Sequence, residues 1–268
     1  MANMRDVRRV VVKVGTSTLT HENGRLNFRR IEKLARTLSD LKNNGLEIIL
    51  VTSGAVGLGM ARLGLEGKPK DIRVKQAAAA VGQSELMNIY SRMFSEYGYK
   101  VAQLLLTRDV ADTEELRTNV TNTVNTLIDL DIIPIVNEND TVSTFELNHI
   151  TAFGDNDTLS AVVSELSDAD CLVILSDIDG LYDADPREYE EARLIPIVRE
   201  ITEEMKMSAG GSGTSRGTGG MATKLAAAES MMRQGKLMVI ASGDRPELLY
   251  DLFSGRTVGT LFMPKGVK

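Results

Sequence analysis

Apolar residues in this chain fall into two rhythms. Short runs of β-branched residues and leucine recur along its length: RVVVKV (9–14), EIILVT (47–52), VAQLLL (101–106), IIPIVN (132–137), CLVILS (171–176) and LMVIAS (237–242). Near-continuous runs of this kind, rather than strict alternation, are what strands covered on both faces show. Between them the period lengthens to that of a helix. Ile31, Leu34, Ala35, Leu38 and Leu41 share one helical face, and Gly45 follows where a left-handed C-terminal cap is expected. The stretch 71–97 repeats the spacing through Val74, Ala78, Val81, Leu86, Ile89 and Met93, and Gly82 inside it marks either a break or a close contact. A further amphipathic run follows Asp157, with Leu159, Val162, Val163 and Leu166 on its inner face. Another runs from Met221 through Leu225, Ala228 and Met232 to Gly235. Strands alternating with helices predict an α/β fold in which helices cover both faces of a largely parallel sheet.

Length and composition narrow the picture. With 268 residues, 43% of them apolar and 25% charged, the chain has enough material for one large core. The biased segment AGGSGTSRGTGG (209–220) passes directly into a helical pattern, so it reads as a loop feeding a helix. One domain over 1–268 is expected, with a division near residue 170 into halves of about 1–170 and 171–268. The formal net charge of −6 argues against a sequence-independent grip on nucleic acid, which needs clustered Lys and Arg. Cys171 stands alone, and the two histidines are His21 and His149, so neither a disulfide framework nor a Cys/His zinc site is expected. No apolar stretch approaches the roughly 20 residues of a membrane helix, and the expectation is a cytoplasmic protein without a membrane partner.

The candidate chemistry collects where strands end, since ligands of open α/β sheets sit beyond the carboxyl ends of the strands. Lys13 ends the first run and Gly15, Thr16 and Ser17 follow; the lysine is either a ligand for an anion or a side chain that reaches past the strand end to water. Thr52-Ser53-Gly54 leads from a strand into a helix through small residues that would expose backbone N–H groups to a carboxylate or phosphate. Asn137-Glu138-Asn139-Asp140 follows the fourth run, and Gly154-Asp155-Asn156-Asp157 opens a helix. Asp155 alone reads equally well as a helix cap. The four residues Asn139, Asp140, Asn156 and Asp157 exceed what capping requires; such a cluster can hold an ammonium group, orient lysines or bind magnesium. Thr218-Gly219-Gly220-Met221-Ala222-Thr223-Lys224 is a glycine loop with a lysine one turn into a helix, without the Gly-Lys-Ser/Thr triplet of a P-loop. Ser176 and Asp177 end the fifth run, where a nucleotide or metal would lie, and Asp183 to Pro186 reads as a turn.

Together, VVKVGTSTLT, VTSGAVGLG, AAVGQSELM, LLTRD, PIVNENDTVST, FGDNDTLSA, DIDGLYDADPR and GTGGMATKL resemble the amino acid kinase family, and within it the branch that phosphorylates glutamate. The resemblance runs from about residue 9 to 263. It implies an αβα sandwich that binds L-glutamate in the N-terminal half and ATP, with Mg2+, in the C-terminal half. By the same resemblance Lys13 and Lys224 flank the transferring phosphoryl group and Asp157 orients them. Ser53, Gly54, Asp140 and Asn156 hold glutamate. Lys13, Gly15, Ser176, Asp177 and the loop Thr218, Gly219, Gly220, Met221, Ala222, Thr223 and Lys224 line the nucleotide, and no residue is assigned to the metal. The product is L-glutamyl 5-phosphate, the first intermediate of proline biosynthesis, so proline is the expected feedback inhibitor. A homodimer or homotetramer is the expected assembly. Many members of that branch continue into a small RNA-binding domain of the PUA type, whereas this sequence ends at Lys268; the expectation is a form lacking it, active because the family's catalytic residues lie elsewhere.

Overall fold

The computed structural model describes residues 4–21, 25–65, 67, 69, 71–142, 156–209 and 220–266. Its first part runs β1 (Arg9–Val14), α1 (Thr16–Leu19), α2 (Phe28–Asn43), β2 (Glu47–Val51), α3 (Ala55–Arg62), α4 (Ile72–Ser95), β3 (Val101–Leu106), α5 (Glu114–Asp129) and β4 (Ile133–Glu138). The second runs α6 (Asn156–Leu166), β5 (Cys171–Ser176), β6 (Ile197–Val198), α7 (Glu203–Ala209), α8 (Met221–Arg233), β7 (Leu237–Ser242), α9 (Leu248–Phe253) and β8 (Thr260–Phe262). Among the described residues these strands make one sheet in the order β3-β4-β2-β1-β5-β7-β8-β6. From β3 to β7 every neighbour is parallel, and β8 joins β7 antiparallel. The six apolar runs are the six parallel strands, so their carboxyl ends share one edge of the sheet. No helix among the described residues is long and apolar enough to cross a membrane.

β1 lies at the centre and shows why the runs are continuous. Val10, Val12 and Val14 pack with Ile31, Leu34 and Leu38 of α2 and with Leu86, Tyr90 and Phe94 of α4. Val11 points the other way, into a core shared with Leu159 and Val163 of α6 and Leu225 and Met231 of α8. Side chains alternate along a strand, so both parities must be apolar when both faces are covered. The parity continues: Lys13, two residues beyond Val11, is delivered to the α6/α8 face. This is an αβα sandwich, as the periodicities predict.

α2 begins at Asn27, whose side chain accepts from Arg30 N at 3.1 Å. It ends as expected at Gly45, with φ +95°. Gly45 N bonds to Lys42 O at 2.9 Å and Leu46 N to Leu41 O at 3.2 Å, the paired bonds of a Schellman motif. Gly82 does not break α4, which is continuous from Ile72 to Ser95; it marks a close contact. A Cβ there would lie 1.8 Å from Ala55 O and 2.5 Å from Gly59 N, and one on Gly59 would lie 1.8 Å from Ala78 O. α3 and α4 therefore cross backbone to backbone. α5 is the longest helix that hydrophobic spacing did not announce: only Val124 and Ile128 of its EELRTNVTNTVNTLID are buried, and its Thr and Asn residues are weak helix formers.

Candidate active site

Three charged side chains meet beyond the end of β1. Lys13 Nζ lies 2.6 Å from Asp157 Oδ1, and Lys224 Nζ lies 3.1 Å from Asp157 Oδ2. β1 supplies Lys13, the first turn of α6 supplies Asp157, and the first turn of α8 supplies Lys224. The Asp157 side chain is fully buried, and Lys13 and Lys224 are 6% and 5% exposed. Asp157 stands at the positive end of α6, where a carboxylate is favoured. Thr223 Oγ1 lies 3.1 Å from Asp157 Oδ2 and 2.8 Å from Gly220 O, tying the start of α8 to the start of α6. Removing three charges from water costs several kcal/mol for each ion, so an apolar cluster would have served stability as well. Buried charges concentrated at strand ends in this way point to a functional site. Gly15 follows directly: a Cβ there would sit in contact with Lys13 Nζ, 3.7 Å away, so the glycine lies beside the ammonium.

On one side of this triad stand the residues expected to hold an amino acid. Gly54 has φ +98° and is the N-cap of α3, a conformation that a side chain would strain. Asn156 Nδ2 donates to Ser53 Oγ at 2.7 Å, to Asn137 Oδ1 at 3.0 Å and to Thr52 O. β2, β4 and α6 are thereby joined at one point. Thr52 Oγ1 in turn shares a 2.8 Å hydrogen bond with Tyr90 OH, whose burial pushes its phenol well above the usual range. Asp140, just past β4, pairs with Lys75 of α4 at 3.2 Å rather than with Ser53 or Asn156. The structure thus brings Ser53, Gly54 and Asn156 together and gives Asp140 a basic partner that the sequence reading had not named.

On the other side opens a cleft of about 860 Å³ at the ends of β5 and β7. Asp177, Gly220, Met221 and Lys224 line it, and Ser176 donates to Asp177 Oδ1 at 3.0 Å beside it. Ala222 and Thr223 follow in the first turn of α8, whereas Thr218, Gly219, Gly154 and Asp155 lie outside the described residues. Sequence reasoning missed Pro186, Arg187 and Arg245, which also line the cleft. Arg245 had a usable signal, because it lies three residues past LMVIAS, close to a strand end as Asp177 is. Arg187 had none beyond its place after the Asp-Pro turn. Among the described residues no group of three or more His, Cys, Asp or Glu side chains is placed to hold a metal, and both Asp157 oxygens are engaged by ammonium groups. The described side chains form no magnesium cage of their own.

A parallel αβα sheet with two lysines converging at its carboxyl edge, between a small polar pocket and a large cleft, is the plan of a small-molecule phosphotransferase. The chain belongs to the amino acid kinase family, whose pattern it matches over residues 8–242. It is 55% identical over 262 residues to the glutamate 5-kinase of Clostridium perfringens, covering 98% of this chain and 97% of that one. To the glutamate 5-kinase of Enterococcus faecalis it is 50% identical over 263 residues, covering 98% and 97%. Among solved structures, the carbamate kinase of Giardia lamblia bound to AMP-PNP superposes with a TM-score of 0.68 at 14% identity, covering 97% of this chain and 100% of that one. The isopentenyl phosphate kinase of T. acidophilum in its product complex gives 0.64 at 16% identity, covering 95% and 99%. The last two likenesses are of fold.

Proposed function

We propose that this protein transfers the γ-phosphoryl group of ATP to the γ-carboxylate of L-glutamate, forming L-glutamyl 5-phosphate and ADP and so opening proline biosynthesis. The carrying observation is the convergence of Lys13 and Lys224 on the two oxygens of Asp157, which holds both ammonium groups on one carboxylate. Glutamate occupies the pocket of Ser53, Gly54, Asn156 and Asp140, in the half of about 1–170. ATP occupies the cleft of Ser176, Asp177 and the 218–224 loop, in the half of about 171–268. Gly15 leaves room beside Lys13 for the phosphoryl group to pass between them.

The γ-carboxylate is ionised at neutral pH, so its attack on phosphorus needs no general base. One carboxylate oxygen forms the new P–O bond as the bond to the ADP oxygen breaks, and no proton moves. What the reaction needs is alignment and cancellation of negative charge. Lys224, which lines the cleft, faces the leaving side, and Lys13, at the end of β1, faces the incoming side. At an effective dielectric near 20, one such contact at about 4 Å is worth roughly 4 kcal/mol before desolvation. Magnesium bound with the nucleotide would supply neutralisation of phosphate charge, and no described side chain is assigned to hold it.

Proline shares glutamate's α-carboxylate and cationic nitrogen, so the same pocket accommodates it as an inhibitor. A cytoplasmic location fits a chain whose lone cysteine, Cys171, is buried. Assembly as a homodimer or a dimer of dimers is supported by Leu63, Leu65, Ile72 and Val81, apolar residues exposed on and between α3 and α4. Light scattering at micromolar concentration is expected to exceed the monomer mass. The function itself is tested by trapping with hydroxylamine: a hydroxamate that requires both L-glutamate and ATP supports it, and one formed only with another acid, or none at all, overturns it.

A further inference from the structure

Two backbone groups fix the orientation of four amide side chains that run from the proposed glutamate pocket to the β3 edge of the sheet. Thr52 C=O can only accept, so the Asn156 atom facing it is the nitrogen. Glu138 N–H can only donate, so the Asn137 atom 2.9 Å from it is the oxygen. That oxygen also accepts from Asn156 Nδ2 at 3.0 Å. The polarity then passes outward without a choice. Asn137 Nδ2 donates to Gln83 Oε1 at 2.8 Å, and Gln83 Nε2 donates to Gln103 Oε1 at 3.2 Å. Asn137 and Gln83 are buried, at 2% and 7% exposure, whereas Gln103 is exposed.

The consequence lies at the inner end. Asn156 Nδ2 is engaged by Thr52 O, Ser53 Oγ and Asn137 Oδ1, and no described residue donates to Asn156 Oδ1. The edge left for a bound molecule is the carbonyl, an acceptor. Gln83 follows Gly82, whose backbone contact with Ala55 fixes the height of α4 against α3, so the relay enters the site from a rigid support.

We propose that Gln83 is a positioning residue: acting through Asn137, it holds the Asn156 carbonyl toward the pocket. The site thereby selects a dicarboxylate that carries a donor, the α-ammonium of an amino acid, over the same dicarboxylate without one. This rests on the glutamate reading above. Without the Gln83 acceptor, Asn137 keeps its oxygen toward Glu138 N–H but is left with a buried unpaired donor, and the hold on its side chain loosens. Asn156 keeps its nitrogen toward Thr52 O, but the Asn137 oxygen that helps hold it shifts, and the Asn156 carbonyl loses its alignment with the ligand.

The test compares the full-length native enzyme with Gln83→Met and Gln83→Glu. KM is measured for L-glutamate and for ATP, and the inhibition constant for glutarate, which is glutamate without its ammonium. Gln83→Met is expected to raise KM for glutamate about tenfold, as for loss of one hydrogen bond to a charged group. KM for ATP and the glutarate constant stay unchanged, so the preference for glutamate falls by the same factor. Gln83→Glu keeps an acceptor toward Asn137, with Gln103 turning its amide to donate, and retains the preference. If Gln83 only filled space, the near-isosteric methionine would be silent and the buried glutamate would do the damage. That reversed order, or an unchanged preference in folded Gln83→Met, overturns the relay; should Gln83→Glu not fold, the methionine variant decides alone. A native enzyme that never phosphorylates glutamate would overturn the substrate reading and the relay with it, which separates the two failures.

Discussion

Lys13 Nζ lies 2.6 Å from Asp157 Oδ1, an ion pair that joins the end of the central strand to the first turn of α6 inside the protein. The same carboxylate holds Lys224 through its other oxygen. Either lysine can be lost while Asp157 keeps an ammonium partner. Lys13→Ala and Lys224→Ala are therefore expected to remain folded by circular dichroism while kcat falls by about two to four orders of magnitude, the loss expected for removing a transition-state charge contact. A kcat within threefold of native in either variant would remove that lysine from the mechanism.

The close crossing of α3 and α4 gives a prediction with an internal control. In Gly82→Ala the new Cβ would meet Ala55 O at 1.8 Å, so α3 must move. The expected cost is about 3 kcal/mol or more, because the obstacle is backbone. Any folded fraction should show a raised KM for glutamate and an unchanged KM for ATP, since α3 begins beside Ser53 and Gly54 while the cleft is built from other elements. Gly57→Ala, in α3 with nothing within 4 Å of its Cβ, should instead be neutral or stabilise by up to about 1 kcal/mol. Equal melting temperatures for the two variants would contradict the close-contact account.

Proline inhibition should be overcome by raising glutamate and should be nearly indifferent to ATP. It should weaken in Asp140→Ala and Asn156→Ala, the variants expected to lose glutamate affinity. Lys75→Met is expected to act with Asp140→Ala rather than add to it, because the two residues form one ion pair. Inhibition that survives saturating glutamate would place proline elsewhere.

Stability should decline on the alkaline side through two buried acids. Burial pushes both the Tyr90 phenol and the Cys171 thiol above their ordinary values. In the unfolded chain these groups ionise near pH 10 and 8.5 respectively, by roughly their reference values. Above those values the unfolded state has released protons that the folded state still holds, so stability falls as pH rises. It is fully present below about pH 8 on this account. Tyr90→Phe and Cys171→Ala should each flatten the dependence of the denaturation midpoint between about pH 9 and 11, whatever their constant offset. Slopes identical to native would show that other groups carry the alkaline loss.

The sequence by itself determined the six parallel strands, because a strand covered on both faces must be apolar at both parities, and β1 carries that demand through Val10, Val11, Val12 and Val14. It determined the C-terminal end of α2 through Gly45, whose preference is local. It also marked Lys13, Ser53, Asn156, Asp157, Asp177 and Lys224 as residues of interest, since strand ends and helix starts are readable wherever hydrophobic spacing changes period. Only the tertiary structure decided which of them meet. That Asp157 stands between Lys13 and Lys224, that Asp140 pairs with Lys75, and that Gln83 reaches Asn137 follow from strand order and helix crossing, which no local pattern encodes. α5 and the short β6 and β8 stayed hidden for a related reason: they bury few apolar side chains and take their form from neighbours distant in sequence.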